Sequence, residues 1–299
     1  MNKTVCQFIL ILITVFITTA CKSHYDVESE NNGIQYYKNG EYQKALPLLE
    51  KAENTGSSRA AFYLGEMFRR GEGVNEDFSR SCTHYIKSAE GGNNNAYLLA
   101  GACSVMGKGI KQNFAEALNW FKKASDEMEQ TDWAESDKKY LMRTLAFMYF
   151  TGKGTLQDFS EAAKWAEKAA LLGDANSQAV MAFLLYTGQG VLTDKKTARM
   201  WAQKSAEQGN DLGEVLMGVF NQYADSPDMK AAFDWYGKSA KQGNPAAQYQ
   251  LGTFYEEGII VPKDIEKAHR YYKQAADSKK SDHLVKALMD FEARQKKQR

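Results

Sequence analysis

The pattern Gly-x-Gly recurs along the chain at nearly constant spacing, and this repetition limits what the sequence can fold into. Its first glycines are Gly71, Gly107, Gly152 and Gly188, which are 36, 45 and 36 residues apart. A period of this size is typical of stacked copies of one supersecondary unit. A phosphate-binding loop is needed only once, and the rest of its signature is missing from the sequence. The pattern therefore favours a turn between two helices, repeated along the chain.

Two more columns of residues share this period. Small residues recur on the helix before each turn, and large rings recur on the helix after it. Glycine in a helix interior costs about 1 kcal/mol relative to alanine, so its repeated use indicates close helix packing. We therefore predict that each ring packs against small residues of a neighbouring helix. The small residues are Gly65, Gly101, Ala146, Ala182, Gly218 and Gly252, and the rings are His84, Trp120, Trp165, Trp201, Trp235 and Tyr271.

The first twenty residues have the features of an export signal. Lys3 precedes a ten-residue apolar run, residues 8–17, which is shorter than the roughly 20 residues needed to span a bilayer. The pair Ala20-Cys21 resembles the lipobox of bacterial lipoproteins, which implies lipidation of Cys21 after removal of residues 1–20. Thr18 stands where that family prefers Leu, Val or Ile, so ordinary signal cleavage is the alternative. Lys22 after the cysteine implies an outer-membrane anchor, and a polar tether is predicted over residues 21–32.

The repeated columns resemble a known family. The segments Ala247-Gln248-Tyr249-Gln250-Leu251-Gly252 and Ala162-Ala163-Lys164-Trp165 are similar to the Sel-one-like repeat, a relative of the tetratricopeptide repeat. The resemblance implies an all-α fold, a right-handed α-solenoid of stacked helix–turn–helix repeats with a concave face. We predict this solenoid over residues 33–281, as a short first unit plus six repeats. Residues 282–299 are predicted to form a C-terminal capping helix and a basic tail.

Two cysteines remain in the predicted mature chain besides the lipidation candidate. Cys82 falls on the second helix of one predicted repeat and Cys103 on the first helix of the next. Such helices are neighbours in a solenoid, and paired cysteines usually bond in an oxidising compartment. A disulfide between them would stabilise the fold by roughly 3 kcal/mol. The alternative is two buried thiols in separate packing positions.

One spacing is longer than the others, and the extra residues form an acidic segment, residues 126–137. Insertions in solenoids map to loops that often lie on the binding face. Trp133, flanked by Asp132 and Glu129, is therefore a candidate anchor for a basic partner. The alternative is a lengthened helix pair with Trp133 folded back onto the core.

Motifs for catalysis or metal binding are weak. The histidines have no ligand spacing, and His84 belongs to the ring column, so we interpret it as a packing residue. Ser136 and Lys139 match the letters of Ser-x-x-Lys, but the motifs that complete a β-lactam site are missing from the sequence. We therefore expect no enzyme, no cofactor and no metal. The net charge of +1 gives no indication of nucleic-acid binding.

The resemblance implies an envelope-anchored solenoid that binds a protein partner on its concave face, with membrane contact only through the N-terminal lipid. Some lipoproteins with these repeats neutralise type VI secreted phospholipase toxins, so an immunity protein in the periplasm is one interpretation. A scaffold of envelope machinery or a host-interaction factor is the alternative. A β-lactam-binding or cell-wall enzyme is a further alternative, although it would need a converging catalytic site.

Overall fold

The computed structural model describes residues 26–128, 133–278 and 281–297, with side chains to residue 296. Two compact units divide the chain, residues 1–131 and 132–299. Within the described residues the regular elements are fifteen α-helices and one short 3₁₀ helix, with no strand. Consecutive helices pair along each unit, so the prediction of an all-α solenoid of stacked helix pairs is confirmed. None of the described helices has both the length and the apolar character that crossing a membrane requires.

Unit 1, residues 1–131, contains three helix pairs, and each pair has a first and a second helix. The 3₁₀ helix Asn94–Ala96 precedes the first helix of the third pair. The pairs are α1 (Val27–Lys38) with α2 (Tyr42–Asn54), α3 (Ser58–Arg70) with α4 (Phe78–Glu90), and α5 (Tyr97–Met106) with α6 (Phe114–Met128).

Unit 2, residues 132–299, contains four helix pairs and a final single helix. The pairs are α7 (Glu135–Thr151) with α8 (Phe159–Leu171), α9 (Ala175–Thr187) with α10 (Lys195–Glu207), α11 (Asp211–Gln222) with α12 (Met229–Lys241), and α13 (Pro245–Glu257) with α14 (Ile265–Asp277). The last helix is α15 (Asp282–Lys297).

The glycine turns end the first helices, as the sequence predicts. Gly152 is the C-cap of α7 in the left-handed conformation, at a φ of 70°, and its N–H donates to the carbonyl of Met148. A glycine adopts this conformation without the steric cost that a Cβ would add. The second helix then starts at an aspartate: the Asp158 side chain accepts hydrogen bonds from the backbone N–H groups of Ser160 and Glu161.

The rings that fill the space beside the small residues lie one position later than predicted. The ring of Phe121, not that of Trp120, lies over Gly101, where an added Cβ would stand 2.6 Å from the ring. One residue along a helix turns a side chain by about 100°, so neighbouring columns face different directions. The same arrangement joins Gly65 with Tyr85, Gly218 with Tyr236 and Gly252 with Tyr272.

The sizes of the two facing positions compensate along the chain. Where the first helix carries Ala146 or Ala182 instead of glycine, the matching position of the second helix carries Ala166 or Ala202. All four alanines are at most 2 % exposed. A ring is therefore used where the facing residue has no side chain, and a methyl group where it has one, which keeps the interface filled.

The N-terminal helix begins earlier than the sequence analysis indicates. Helix α1 starts at Val27, inside the predicted tether of residues 21–32, and Asp26 caps it by accepting from the N–H of Ser29. Glu30 is 2 % exposed, accepts from Ser57 Oγ and pairs with Arg59. These contacts tie the segment to α3, which is the physical reason it is helical. The predicted signal peptide and Cys21 lie outside the described residues.

The C-terminal helix occupies the segment predicted to cap the solenoid. Phe291 on α15 is 1 % exposed and its ring lies 5.1 Å from that of Tyr272 on α14. Arg294 reaches Glu256 on α13 with both Nε and Nη2. Helix α15 thus covers the apolar face of the last pair in unit 2.

Candidate partner-binding surface

The tryptophans of the ring column in unit 2 each have a lysine over the ring; Trp165 and Trp235 are half-buried, and Trp201 is 8 % exposed. The lysine follows the tryptophan by three residues, which places both on one face of the helix. A cation within about 6 Å of an aromatic face is attracted to it. The distances from Nζ to the ring centroid are 4.7 Å for Lys168 over Trp165, 4.8 Å for Lys204 over Trp201 and 3.8 Å for Lys238 over Trp235.

In unit 1 the two residues of the ring column, His84 and Trp120, stack on neighbouring aromatic side chains. Trp120 is 5 % exposed and stacks on Tyr97, with the ring centroids 5.8 Å apart, and Lys123 Nζ lies 4.5 Å from the Trp120 ring centroid. His84 stacks on Phe68 at 5.4 Å, and a hydrogen bond of 2.6 Å joins its Nδ1 to Glu53. The stacking on Phe68 agrees with the interpretation of His84 as a packing residue, and the hydrogen bond to Glu53 is an additional polar contact.

Buried carboxylates of unit 1 tie helices together. Glu66 on α3 accepts hydrogen bonds from Tyr85 Oη on α4 and from Arg69, and it pairs with Arg70. Burial alone would raise the pKa of Glu66, but the hydrogen bonds from Arg69 and Tyr85 outweigh it and hold the pKa below its usual range. This carboxylate is therefore ionised and paired, an arrangement that stabilises the helix pair.

A groove in unit 2 lies between the second helices α12 and α14, with α13 beneath. Its volume is about 1020 Å³. Three aromatic rings form part of its wall: Tyr255 lies edge-on to Phe233 at 5.9 Å and stacks on Tyr271 at 5.7 Å. A groove of this size with aromatic walls has the dimensions of a ligand-binding site.

Positive charge dominates the rim of this groove. Its charged lining residues are Asp234, Lys238, Lys241, Lys267 and Arg270. The acid is already paired, with Lys230 on the same helix, and Lys267 pairs with Asp264 at 3.3 Å. Within the described part of the chain, Lys238, Lys241 and Arg270 form no ion pair with a carboxylate. The groove therefore presents Lys241 and Arg270 to an incoming group, while Nζ of the third cation, Lys238, lies over the ring of Trp235.

The residues predicted to bind a partner in the acidic insertion are only partly within the described chain. Trp133 is half-buried and stands two residues before α7, whereas Glu129 and Asp132 lie outside the described residues. The insertion lengthens the flanking helices, since α6 has 15 residues and α7 has 17, compared with 13 in most others. A role of Trp133 in binding stays a prediction.

The predicted cysteine pair is brought together in unit 1. Cys82 on α4 and Cys103 on α5 are joined in a disulfide with their Cα atoms 5.6 Å apart. Both are buried, beside the partly buried rings of Phe62 and Phe78. The disulfide links two successive helix pairs, α3/α4 and α5/α6.

Ser136 and Lys139, the residues that match the letters of a β-lactam-site motif, make only the contacts of an ordinary surface helix in the described residues. Ser136 is exposed in the first turn of α7, and Lys139 pairs with Glu135 on the same helix at 3.2 Å. In the described ranges no cluster of three or more His, Cys, Asp and Glu side chains is placed to hold a metal ion.

The groove was not predicted from the sequence, although a signal was present. The residue two positions after each ring of the ring column has a side chain in five of the six repeats, and in the remaining repeat it is Gly237. At this position the other second helices carry the side chains of Ile86, Lys122, Glu167, Gln203 and Lys273.

Comparison with known proteins identifies the repeat. The Sel1 repeat family model matches residues 58–93, 96–127, 142–174, 175–210, 212–244 and 245–279, which together are more than half of the chain. A search of curated proteins found no match.

Solved structures show the same architecture. A protective antigen of uropathogenic Escherichia coli with an SLR fold is 29 % identical, covers 89 % of this chain and has a TM-score of 0.60; this chain spans 56 % of its length. A Sel1 repeat protein from Oxalobacter formigenes is 26 % identical at a TM-score of 0.55, over 83 % of this chain and 99 % of the other. An immunity protein from Pseudomonas aeruginosa is 21 % identical at a TM-score of 0.40, over 61 % and 64 % of the two chains. On the six matched repeats, the chain belongs to the Sel1 repeat family.

Proposed function

We propose that the protein is exported to the cell envelope and binds one protein partner through the second-helix surface of unit 2. The observation that carries this proposal is the tryptophan–lysine column, repeated on α8, α10 and α12 at Trp165, Trp201 and Trp235. Tryptophan and cationic side chains supply much of the energy at protein interfaces. Because the rings are already held in place, binding them would cost little conformational entropy. Binding on a concave face stays a prediction.

Export is supported by two features. Residues 1–20 have the length and composition of a secretory signal. The disulfide between Cys82 and Cys103 suits an oxidising compartment such as the periplasm. The proposal includes lipidation at Cys21, which would hold the protein at the outer membrane.

The specific role that we propose is immunity, in which the repeats cover the active site of a phospholipase-type toxin secreted by the type VI system. Occupying an active site needs only a complementary surface, which a rigid array of helix pairs provides. A scaffold of envelope machinery is the second candidate, favoured by the same surface when the partner is not an enzyme. The proposal includes no catalytic role for the chain.

The test measures binding to purified partners. The mature chain carrying Cys21→Ser is titrated by calorimetry with candidate phospholipase effectors from its own species, and lipase activity is followed in parallel. Stoichiometric binding with loss of lipase activity is the expected result. Stoichiometric binding of an envelope protein with no inhibition would replace immunity by the scaffold role, and hydrolysis of a β-lactam or of cell-wall fragments would replace binding by catalysis.

A charge-reversal pair locates the surface. Lys168→Glu/Lys204→Glu removes two lysines of the column and should weaken partner binding by roughly tenfold, given the modest energy of each exposed charge. Lys195→Glu/Lys196→Glu changes the charge equally on the exposed start of α10 and serves as the control. Equal affinity of both variants would contradict the proposed surface.

A further inference from the structure

Glutamine side chains at the ends of second helices in unit 2 bond to the first helix of the same pair. Gln208 Nε2 donates to Gln178 Oε1 at 2.8 Å, and Gln242 Nε2 donates to Glu214 Oε2 at 2.8 Å. In each case the donor follows a second helix and the acceptor lies on the first helix of the same pair. The acceptors are nearly completely buried, at 4 % and 5 % exposed, so the glutamine donors satisfy oxygen atoms that water barely reaches.

The last pair has the acceptor but not the donor. Gln248 on α13 occupies the corresponding acceptor position, and the donor position is taken by Ser278, whose short side chain bonds the carbonyl of Ala275 instead. Gln248 is 8 % exposed, and within the described residues its Oε1 has no hydrogen-bond partner. A buried carbonyl oxygen without a donor is unfavourable. Gln248 lines the groove, so a bound ligand would supply this donor once the buried amide turns toward it.

A glycine opens the same groove. Gly237 lies within α12, and a Cβ added there would meet no atom within 4 Å. Glycine inside a helix is unfavourable, and no close packing requires it at this position. Its effect is to leave free the volume that a side chain fills on the other second helices. Gly237 thus lowers the stability of α12 but leaves space in the groove that a larger side chain would occupy.

The lining selects the chemistry of the occupant. Lys241 and Arg270, which form no ion pair with a carboxylate within the described ranges, favour carboxylates or phosphates, and the aromatic wall favours an apolar or aromatic side chain. The oxygen of Gln248 needs a donor, which a phosphate group lacks and a peptide backbone N–H has. A polypeptide with acidic side chains satisfies all three requirements.

We propose that the groove between α12 and α14 binds an acidic polypeptide segment of the protein partner, with an aromatic side chain against Tyr255 and Tyr271 and a backbone N–H donated to Gln248 Oε1. This inference rests on the proposed function, since it names the part of the partner that the second-helix surface of unit 2 holds. The end of that surface therefore acts as the specificity site, while the tryptophan–lysine column supplies a broader contact.

The test uses a defined probe. The fluorescein-labelled peptide acetyl-Glu-Asp-Tyr-Glu-Asp-Phe-Glu-amide is titrated with the full mature chain at low salt, and fluorescence anisotropy gives the affinity. Gly237→Gln fills the groove with the residue that α10 carries at this position, and glutamine is the better helix former, so the fold should be at least as stable. Lys241→Glu/Arg270→Glu reverses the rim charge, and Lys195→Glu/Lys196→Glu is the control of equal charge.

The expected result is saturable binding to the parent chain, at least about tenfold weaker binding to Gly237→Gln and to the rim variant, and a change below about twofold for the control. A peptide with lysine in place of each acid should not bind. Equal affinity for the parent and Gly237→Gln would overturn the inference, as would tighter binding of inorganic polyphosphate or of phosphatidylglycerol vesicles. If Gly237→Gln binds the purified partner with the affinity of the parent chain, the inference about the groove is wrong, whereas the proposed function is unaffected. If the peptide binds but no protein partner is found, the proposed function is wrong, whereas the groove remains a binding site for acidic peptides.

Discussion

The ring of Phe121 on α6 lies directly against Gly101 on α5, so closely that a Cβ on the glycine would stand 2.6 Å from Cε1 of the ring. Phe121 is fully buried. The two positions form one packing unit, in which the absent side chain of one residue is the space occupied by the other. In α7/α8 and α9/α10 the same two facing positions are both alanine, and the two methyl groups together fill the space between the helices.

Gly101→Ala should lower the free energy of unfolding by about 2 kcal/mol, because the overpacking of the ring exceeds the gain in helix propensity. Urea unfolding followed by circular dichroism gives the value. Ala182→Gly on α9 is the matched control, with a loss of about 2 kcal/mol from helix propensity and from the buried methyl group that faces Ala202. An unchanged or increased stability of Gly101→Ala would show that the ring is free to move.

Reduction of the disulfide should destabilise unit 1. Cys82 and Cys103 are 21 residues apart, and a cross-link closing a loop of that length contributes roughly 3 kcal/mol through the unfolded chain. Thermal unfolding with and without a reductant measures the loss. The variant Cys82→Ala/Cys103→Ala should unfold at the same temperature under both conditions. A parent protein that is insensitive to the reductant, with two thiols titrating after denaturation, would contradict the disulfide.

The charge of Glu214 should reduce stability at neutral pH. Burial raises its pKa above the usual value, although the Gln242 hydrogen bond opposes this. A carboxyl whose folded pKa is raised favours the folded state when protonated, so this stabilisation is present at low pH and is lost as the pH rises through the folded pKa. Glu214→Gln should therefore raise the free energy of unfolding at neutral pH by about 1 kcal/mol. The advantage over the parent should shrink on acidification.

The reverse change provides the control for that prediction. Gln178 is the equivalent residue on α9, and its Nε2 donates to the carbonyl of Ala170. Gln178→Glu removes this donor and buries a charge, so it should lower stability by about 1 kcal/mol at neutral pH. Urea unfolding of both variants at several pH values measures the two effects. A destabilising Glu214→Gln would indicate that the carboxylate has a favourable ionic partner.

The last glycine turn contains a residue in an unfavourable conformation. Ile260 has a φ of 55°, where the earlier turns carry Gly73, Gly109, Gly154 and Gly190. A β-branched side chain is strained there, and Ile260 is 47 % exposed, so it gains little from burial. Ile260→Gly should raise the free energy of unfolding by about 1 kcal/mol.

The neighbouring residue separates strain from packing. Ile259 packs against the core cluster of α12 and α13, so Ile259→Gly should lower stability by about 2 kcal/mol. Thermal unfolding of the two variants tests the pair of predictions. A loss of stability in both would show that Ile260 contributes a packing contact that outweighs its backbone strain.

The period of the glycines was sufficient to predict the helix pairs, the turns and the stacked architecture. A left-handed C-cap such as Gly152 and an aspartate cap such as Asp158 are local features, readable from a few adjacent residues. The repeat also placed Cys82 and Cys103 on successive helices, which allowed a disulfide between them but left two separate buried thiols as the alternative. What the columns misassigned was the ring beside each small residue: an aromatic stands at both Trp120 and Phe121, and their order alone does not say which one faces Gly101.

Local signals along the chain account for the helices and the turns, because capping, turn conformation and helix periodicity act within a few residues. Three outcomes could be read only from the folded chain: which side chain fills each gap, the start of α1 at Val27, and the lack of a donor to Gln248 Oε1 within the described ranges. These outcomes depend on contacts between residues of different helices, and the free energy of each depends on how the helices are oriented against each other. The groove between α12 and α14 arises in the same way: Gly237 leaves space between the two helices, and the packing of α13 places Gln248 in the groove lining.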